Sequence, residues 1–184
     1  MIATILRLRA CGVLIGARRA HTLPRMTNLA DQAHALLDRA LEDIPLTRAM
    51  QVRPHDYDGD SLTLVAPLAP NVNDKGCAFG GSLASLATLA GWGLVALWAE
   101  IARYDCEIYV QDSTIRYLAP IWGDLAARAE PAQGESRDAF LAALASRGRA
   151  RISMVCRLPD ESGADACTLE ARFVAIVKER ATAV

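Results

Sequence analysis

The sequence predicts an α+β domain in which one curved antiparallel sheet wraps a single long apolar helix. Three observations carry that prediction. From Gly76 to Ala99 no residue is charged, which suits one helix that is apolar on every side. After it come four extended segments, three of them with the period-2 alternation of half-buried strands. Before it stand an amphipathic helix and a hairpin. A helix apolar all round has to be enclosed, and a sheet curved over it is the simplest enclosure. At 184 residues the chain falls in the range of roughly 100–200 residues expected of one domain.

Taken in order, Thr27 or Asn28 can cap a helix whose apolar face runs Leu29, Ala33, Leu36, Leu37, Ala40, Leu41 and which ends before Pro45. A hairpin follows, entered through Met50-Gln51-Val52, turned at Asp58-Gly59 and returned along Leu62, Leu64 and Ala66. The uncharged run is long enough to cross a bilayer, yet small residues dominate it and Lys75 and Arg103 are the only basic residues near its ends. A buried helix is expected there, with no membrane span. Cys106–Tyr117 reads as a long strand closed by Pro120. Leu125, Ala127 and Ala129 alternate in the next strand. Ser136 can cap a short helix through Ala145. The last two strands are Arg149–Arg157, with Ala150, Ile152, Met154 and Cys156 on one face, and Cys167–Val177, with Leu169, Ala171, Phe173 and Ala175 on one face; Pro159–Gly163 turns between them.

Composition narrows the function. Twenty Lys and Arg against 21 Asp and Glu leave a formal charge of −1, and aromatics are 5%; nucleic acid is not an expected partner, because phosphate contacts need excess positive charge and base stacking needs aromatics. Five scattered cysteines without a CxxC fit reduced thiols in a cytoplasmic protein better than a disulfide framework or a metal site, so neither metal nor cofactor is expected. The three histidines lie away from the glycine-rich segment, which argues against a Ser-His or Cys-His nucleophile. Residues 1–25 carry five arginines and no acid; they read as a basic extension outside the fold, with residues 26–184 as a single domain.

The segment richest in chemistry is Asn71-Val-Asn73-Asp74-Lys-Gly76-Cys-Ala-Phe79-Gly80-Gly81-Ser82. It runs from a polar loop into the start of the long helix, where unused backbone N–H groups form a ready site for developing negative charge. Two glycines there remove side chains that would block approach to those donors. The alternative reading of Gly80-Gly81 is close packing of helix on sheet. No Gly-Lys-Ser/Thr follows, so this is not a P-loop. Ser82 reads as a hydrogen-bonder at the helix start rather than a nucleophile.

Asn73-x-x-Gly76-x-x-Phe79-Gly80-Gly81, a long helix, and an extended strand closing in Tyr117-Leu118-Ala119-Pro120 together resemble the hotdog-fold thioesterases. The longer string from Ala66 through Gly93, with Gln111–Pro120, is similar to the thioesterase domain at the C-terminus of bacterial YiiD proteins, over about Leu41 to Val177. The resemblance implies a hotdog fold, and a side-by-side homodimer, or further a tetramer, with an acyl thioester of CoA or acyl carrier protein (ACP) at the subunit interface. It also implies that Asn73 orients the thioester or water, and that Gly80 and Gly81, beside Phe79, form the oxyanion turn. One departure matters: the helix position at which many such enzymes carry a catalytic Asp or Glu is Thr88 here, and Thr cannot activate water as a carboxylate can.

Hydrolysis therefore needs another carboxylate. Asp112 is the first candidate, in mid-strand where parity sets it opposite Gln111 and Ser113; Asp74, beside Asn73, is the second. The alternative for Asp112 is a structural acceptor. Ser113 would hold a water or the loop at the helix start. Arg147, Arg149 and Arg151 alternate at a strand start and would share one face, suited to CoA phosphates or an acidic carrier protein, or to a solvated edge. Trp92, Trp98 and Trp122 read as core or interface packing. Three functions follow: acyl-thioester hydrolysis; decarboxylation of a malonyl thioester to start fatty acid synthesis, which the resemblance also raises; or an acyl-binding dimer without catalysis.

Overall fold

The computed structural model describes residues 29–178. The basic extension 1–25 and the Thr27/Asn28 cap lie outside the described residues. Helix α1 (Leu29–Glu42) sets Ala33, Leu37 and Leu41 against the core, as its spacing predicts. Pro45 does more than stop it: a second short helix, α2 (Pro45–Met50), which the sequence does not predict, begins there and runs up to the hairpin entry. Proline suits the first helical position because its missing N–H has no partner to lose. The buried Thr47 hydroxyl donates back to the carbonyls of Leu41 and Ile44 and so joins the two helices.

Strands β1 (Arg53–Tyr57) and β2 (Leu62–Ala66) form the expected hairpin. A 3₁₀ turn (Ala69–Asn71) leads to the long helix α3 (Gly80–Ile101), and then come β3 (Cys106–Tyr117), β4 (Leu125–Pro131), helix α4 (Arg137–Arg147), β5 (Arg149–Pro159) and β6 (Asp165–Val177). All six strands join one antiparallel sheet in the order β1-β2-β4-β5-β6-β3. The hydroxyl of Ser136 caps α4 by accepting the Ala139 N–H at 3.2 Å.

Helix α3 touches β2 through β6, which is the hotdog arrangement. Leu86, Ala87, Ala90, Leu94 and Leu97 are fully enclosed between it and the inner sheet residues Leu64, Ala127, Ile152, Met154 and Phe173. Small residues set the spacing. A Cβ on Gly91 would stand 2.7 Å from the Phe173 ring, and one on Gly93 2.9 Å from Leu62 Cδ2. The helix is long and apolar enough to cross a membrane, but the sheet covers most of it. A second stripe along α3, through Gly81, Ser85, Thr88, Leu89 and Trp92, is only half-buried.

The other exposed feature is β3. It closes the sheet on one side, pairs only with β6, and leaves most of its residues exposed.

Candidate active site

The loop ahead of α3 is built around two asparagines. Asn71 is 1% exposed, and its Nδ2 donates to the carbonyls of Met50 (2.9 Å) and Pro67 (2.8 Å). Its own carbonyl accepts the Phe79 N–H at 2.7 Å, so one buried residue ties α2, the end of β2 and the start of α3 together. Asn73 is occupied locally. Its Oδ1 accepts the Lys75 N–H (2.8 Å), its Nδ2 donates to Cys77 Sγ (3.2 Å) and the Ala78 carbonyl (3.4 Å), and its backbone N–H bonds the Cys77 carbonyl (2.8 Å). Gly76 turns the loop at φ +89°, a conformation that strains any side chain.

Phe79 stands at the N-cap of α3, and no side chain caps the helix. The first helical bond is Leu83 N–H to the Phe79 carbonyl. The N–H groups of Gly80, Gly81 and Ser82 therefore have no acceptor among the described residues. Three such amides, aligned with the positive end of a long helix, suit an anionic oxygen. At Ser82 it is the backbone N–H that is free among the described residues. Burial pushes the thiol of Cys156 up to about 12 and that of Cys167 to about 11, so neither supplies a thiolate.

Each glycine of this segment lies beside an aromatic ring. Cβ atoms at Gly80 and Gly81 would stand 3.4 Å from the Tyr117 ring and 2.3 Å from the Phe79 ring, and one at Gly76 would be 3.9 Å from Trp122. The close-packing reading of Gly80-Gly81 is thus met by exposed rings rather than by the sheet interior. Tyr117 Oη donates to the Gly80 carbonyl at 3.1 Å. A cavity of about 330 Å³, lined by Ala78, Gly80, Leu83, Tyr117, Leu118, Ala119 and Pro120, opens beside the helix start.

The remaining residues singled out from the sequence divide. A β-bulge between Val110 and Asp112 leaves Gln111 without a register partner, and Asp112 pairs with Arg172 on the outer, solvent-facing side of β6. Gln111 Oε1 accepts from Arg151 Nε (3.0 Å), which also lies on the outer side. The parity expectation is corrected: Gln111 and Asp112 share the outer face because a bulge sets two residues against one. Ser113, paired with buried Ala171, takes the inner side with Ile115 and Tyr117. Asp74 is exposed and bonds Lys75 Nζ at 2.9 Å. Thr88 lies on the half-buried stripe of α3. Arg149 and Arg151 share the outer face of β5, but Arg147 is the last residue of α4, so the three do not form one strand face. Trp98 is core, its Nε1 donating to the Gly59 carbonyl at 2.8 Å, and Trp92 is half-buried, whereas Trp122 is exposed. Phe79 was expected beside the glycines, but the placing of Tyr117 and Trp122 against this segment, and the burial of Asn71, were not. Tyr117 was visible only as part of a motif, and no local signal separates Asn71 from Asn73.

The chain matches a protein-family model described as "Putative thioesterase (yiiD_Cterm)" over residues 33–177. It is similar to the crystal structure of a protein of unknown function from Chlorobaculum tepidum, at 29% identity and TM-score 0.76, covering 81% of this chain and 97% of that one. It is similar also to a structure described as a putative thioesterase from Shewanella oneidensis, at 27% identity and TM-score 0.71, covering 79% and 99%. A thioesterase from Haemophilus influenzae shares the fold at 14% identity and TM-score 0.62, over 86% and 98%.

Proposed function

Since the chain belongs to the YiiD C-terminal thioesterase family, we propose that it binds an acyl thioester of CoA or ACP at the start of α3 and hydrolyses it. The observation that carries this reading is the set of three unused amides at Gly80, Gly81 and Ser82, beside a cavity at the end of β3. The thioester carbonyl oxygen takes those hydrogen bonds. Water adds to the carbonyl carbon, charge gathers on that oxygen, and the C–S bond breaks to give a free acid and a thiol. Fixed amides stabilise the oxyanion without reorganising. Asn73 acts one step back, by holding the loop that delivers Phe79 and the glycines. Asp74, in the same loop, is the carboxylate this reading assigns to water activation; Asp112 lies on the outer face of its own sheet.

A homodimer completes the reading. Among the described residues β3 is an exposed edge and one stripe of α3 is only half-buried, and antiparallel pairing of two such edges would extend the sheet across both copies. A Val110→Lys substitution on that edge is expected to yield a monomer in sedimentation.

One observation favours a second chemistry. No carboxylate occurs on α3 before Glu100, and decarboxylation of a malonyl thioester needs none. Its C–C bond breaks to release CO2, the electron pair passes to an enolate oxygen on the same amides, and water protonates the carbon. Intact-mass analysis of malonyl- and longer acyl-carrier proteins after incubation with the protein decides between them. Free carrier thiol is the expected result; acetyl carrier formed from malonyl carrier establishes the second chemistry instead. Stabilisation by acyl thioesters that stay intact would make the protein a binder.

A further inference from the structure

A cavity of about 590 Å³ opens between α1, the second half of α3 and the start of β3. Its floor is apolar: Leu36, Ala40, Trp92, Ala96 and Ile108 line it, and each is only partly buried. Its rim is mostly acidic, with Asp43, Glu100 and Asp105 beside a single cation, Arg39. Lys178 pairs with Asp105 at 2.8 Å. Asp43 and Glu100 have no cationic partner among the described residues. An open apolar floor inside a rim of unneutralised carboxylates suits an occupant that is apolar at its centre and cationic at its ends.

The chain carries such a segment. Residues 1–28 precede Leu29, the first residue of α1, and α1 forms one wall of the cavity. Among them residues 10–17 are uncharged and include Val13, Leu14 and Ile15, with Arg7 and Arg9 before them and Arg18 and Arg19 after; residues 1–28 hold no acid. We propose that residues 10–17 fold back along α1 and fill this cavity, with Val13, Leu14 and Ile15 on its apolar floor and the flanking arginines against Asp43 and Glu100. The reach is ample. Leu29 and Ala40 are about 16 Å apart along the helix, and residues 18–28 span up to about 36 Å when extended. Because the segment is tethered, its local concentration is in the millimolar range, and a modest contact surface is enough to seat it. Trp92 lies about 18 Å along α3 from Gly80, so a filled cavity leaves the unused amides open. The proposal does not depend on the chemistry assigned to them.

Two cysteines report on the contact. Cys106 lines the cavity and Cys11 belongs to the uncharged segment, whereas Cys77, Cys156 and Cys167 are buried. Dibromobimane joins two thiols only when they lie close together. In the whole chain it is expected to link Cys11 to Cys106 within one molecule, read by intact mass and peptide mapping. Leu14→Asp/Ile15→Asp, which removes the apolar centre, and Asp43→Lys/Glu100→Lys, which reverses the rim at two exposed positions, are each expected to lower that yield at least about fivefold. Nile red, a neutral apolar dye, is expected to bind Leu14→Asp/Ile15→Asp but not wild type, and Ala96→Trp added to that variant is expected to fill the cavity and abolish the binding. A yield that neither double variant changes means a tether that wanders, and overturns the proposal, as does the absence of any link. A link between two molecules overturns it too, by giving the cavity to a second copy. Equal dye binding by wild type does the same, by leaving the cavity open to a small apolar ligand.

Discussion

The phenol of Tyr117 donates to the carbonyl of Gly80 at 3.1 Å, which fastens the last residue of the edge strand to the first residue of the central helix. The unused amides of α3 are therefore held in a fixed relation to β3.

Two glycine substitutions should separate site from core. In Gly81→Ala the new methyl would stand 2.3 Å from the Phe79 ring, which is exposed and can swing away over the amides. Turnover is expected to fall at least about tenfold with stability within about 1 kcal/mol of wild type. In Gly91→Ala the methyl meets the buried Phe173 ring at 2.7 Å. There a loss of about 1–3 kcal/mol in urea unfolding is expected, with normal kinetics in the folded fraction.

The two loop asparagines should also part. Asn71→Ala leaves the carbonyls of Met50 and Pro67 without their donor in a buried place, and a cost of about 1–3 kcal/mol is expected from urea unfolding. Asn73→Ala loosens a part-buried turn, so kcat should suffer more than the unfolding midpoint. Equal effects on both quantities in both variants would mean that the loop acts only as scaffold.

Asp112→Asn should leave thioester turnover within about threefold, because the bulge at Gln111 sets Asp112 beside Arg172 on the outer face. A general base is worth roughly 100–10,000-fold, so a loss of that size would return the role to Asp112. Asp74→Asn is the companion measurement and should carry the large loss if hydrolysis is the chemistry.

Acid should release Trp122. The Glu161 carboxyl accepts its own backbone N–H and that of Trp122, which holds it below its ordinary 4.5. A carboxyl whose value is depressed in the folded chain contributes fully above its unfolded value and loses that contribution as pH falls through the folded one. Trp122 emission should therefore stay constant down to about pH 5 and shift below the ordinary Glu range. Glu161→Gln should abolish that step, since the amide oxygen accepts the same N–H without titrating. A step that persists in the variant assigns it to another group.

The presence of α3, the alternation of β4, β5 and β6 and the Ser136 cap could be read directly from the chain. Each depends on residues within a turn or two of one another, and periodicity records exactly that range. The family resemblance rests on two stretches, Ala66–Gly93 and Gln111–Pro120, each legible as a string of residues. The side of the sheet that Asp112 faces was not, because a single unpaired residue at Gln111 reverses the parity, and a bulge is set by the partner strand β6. Nor were the second helix beyond Pro45, the choice of Asn71 over Asn73 as the buried clamp, or the ring of aromatics over the glycines. Tyr117 meets Gly80 across 37 positions, and Trp122 meets Glu161 across 39. Local sequence therefore determined most of the elements, α2 excepted, and that the long helix is enclosed. Tertiary structure alone decided which side chains surround its first amides, because those neighbours are brought together by sheet order and loop closure rather than by proximity along the chain.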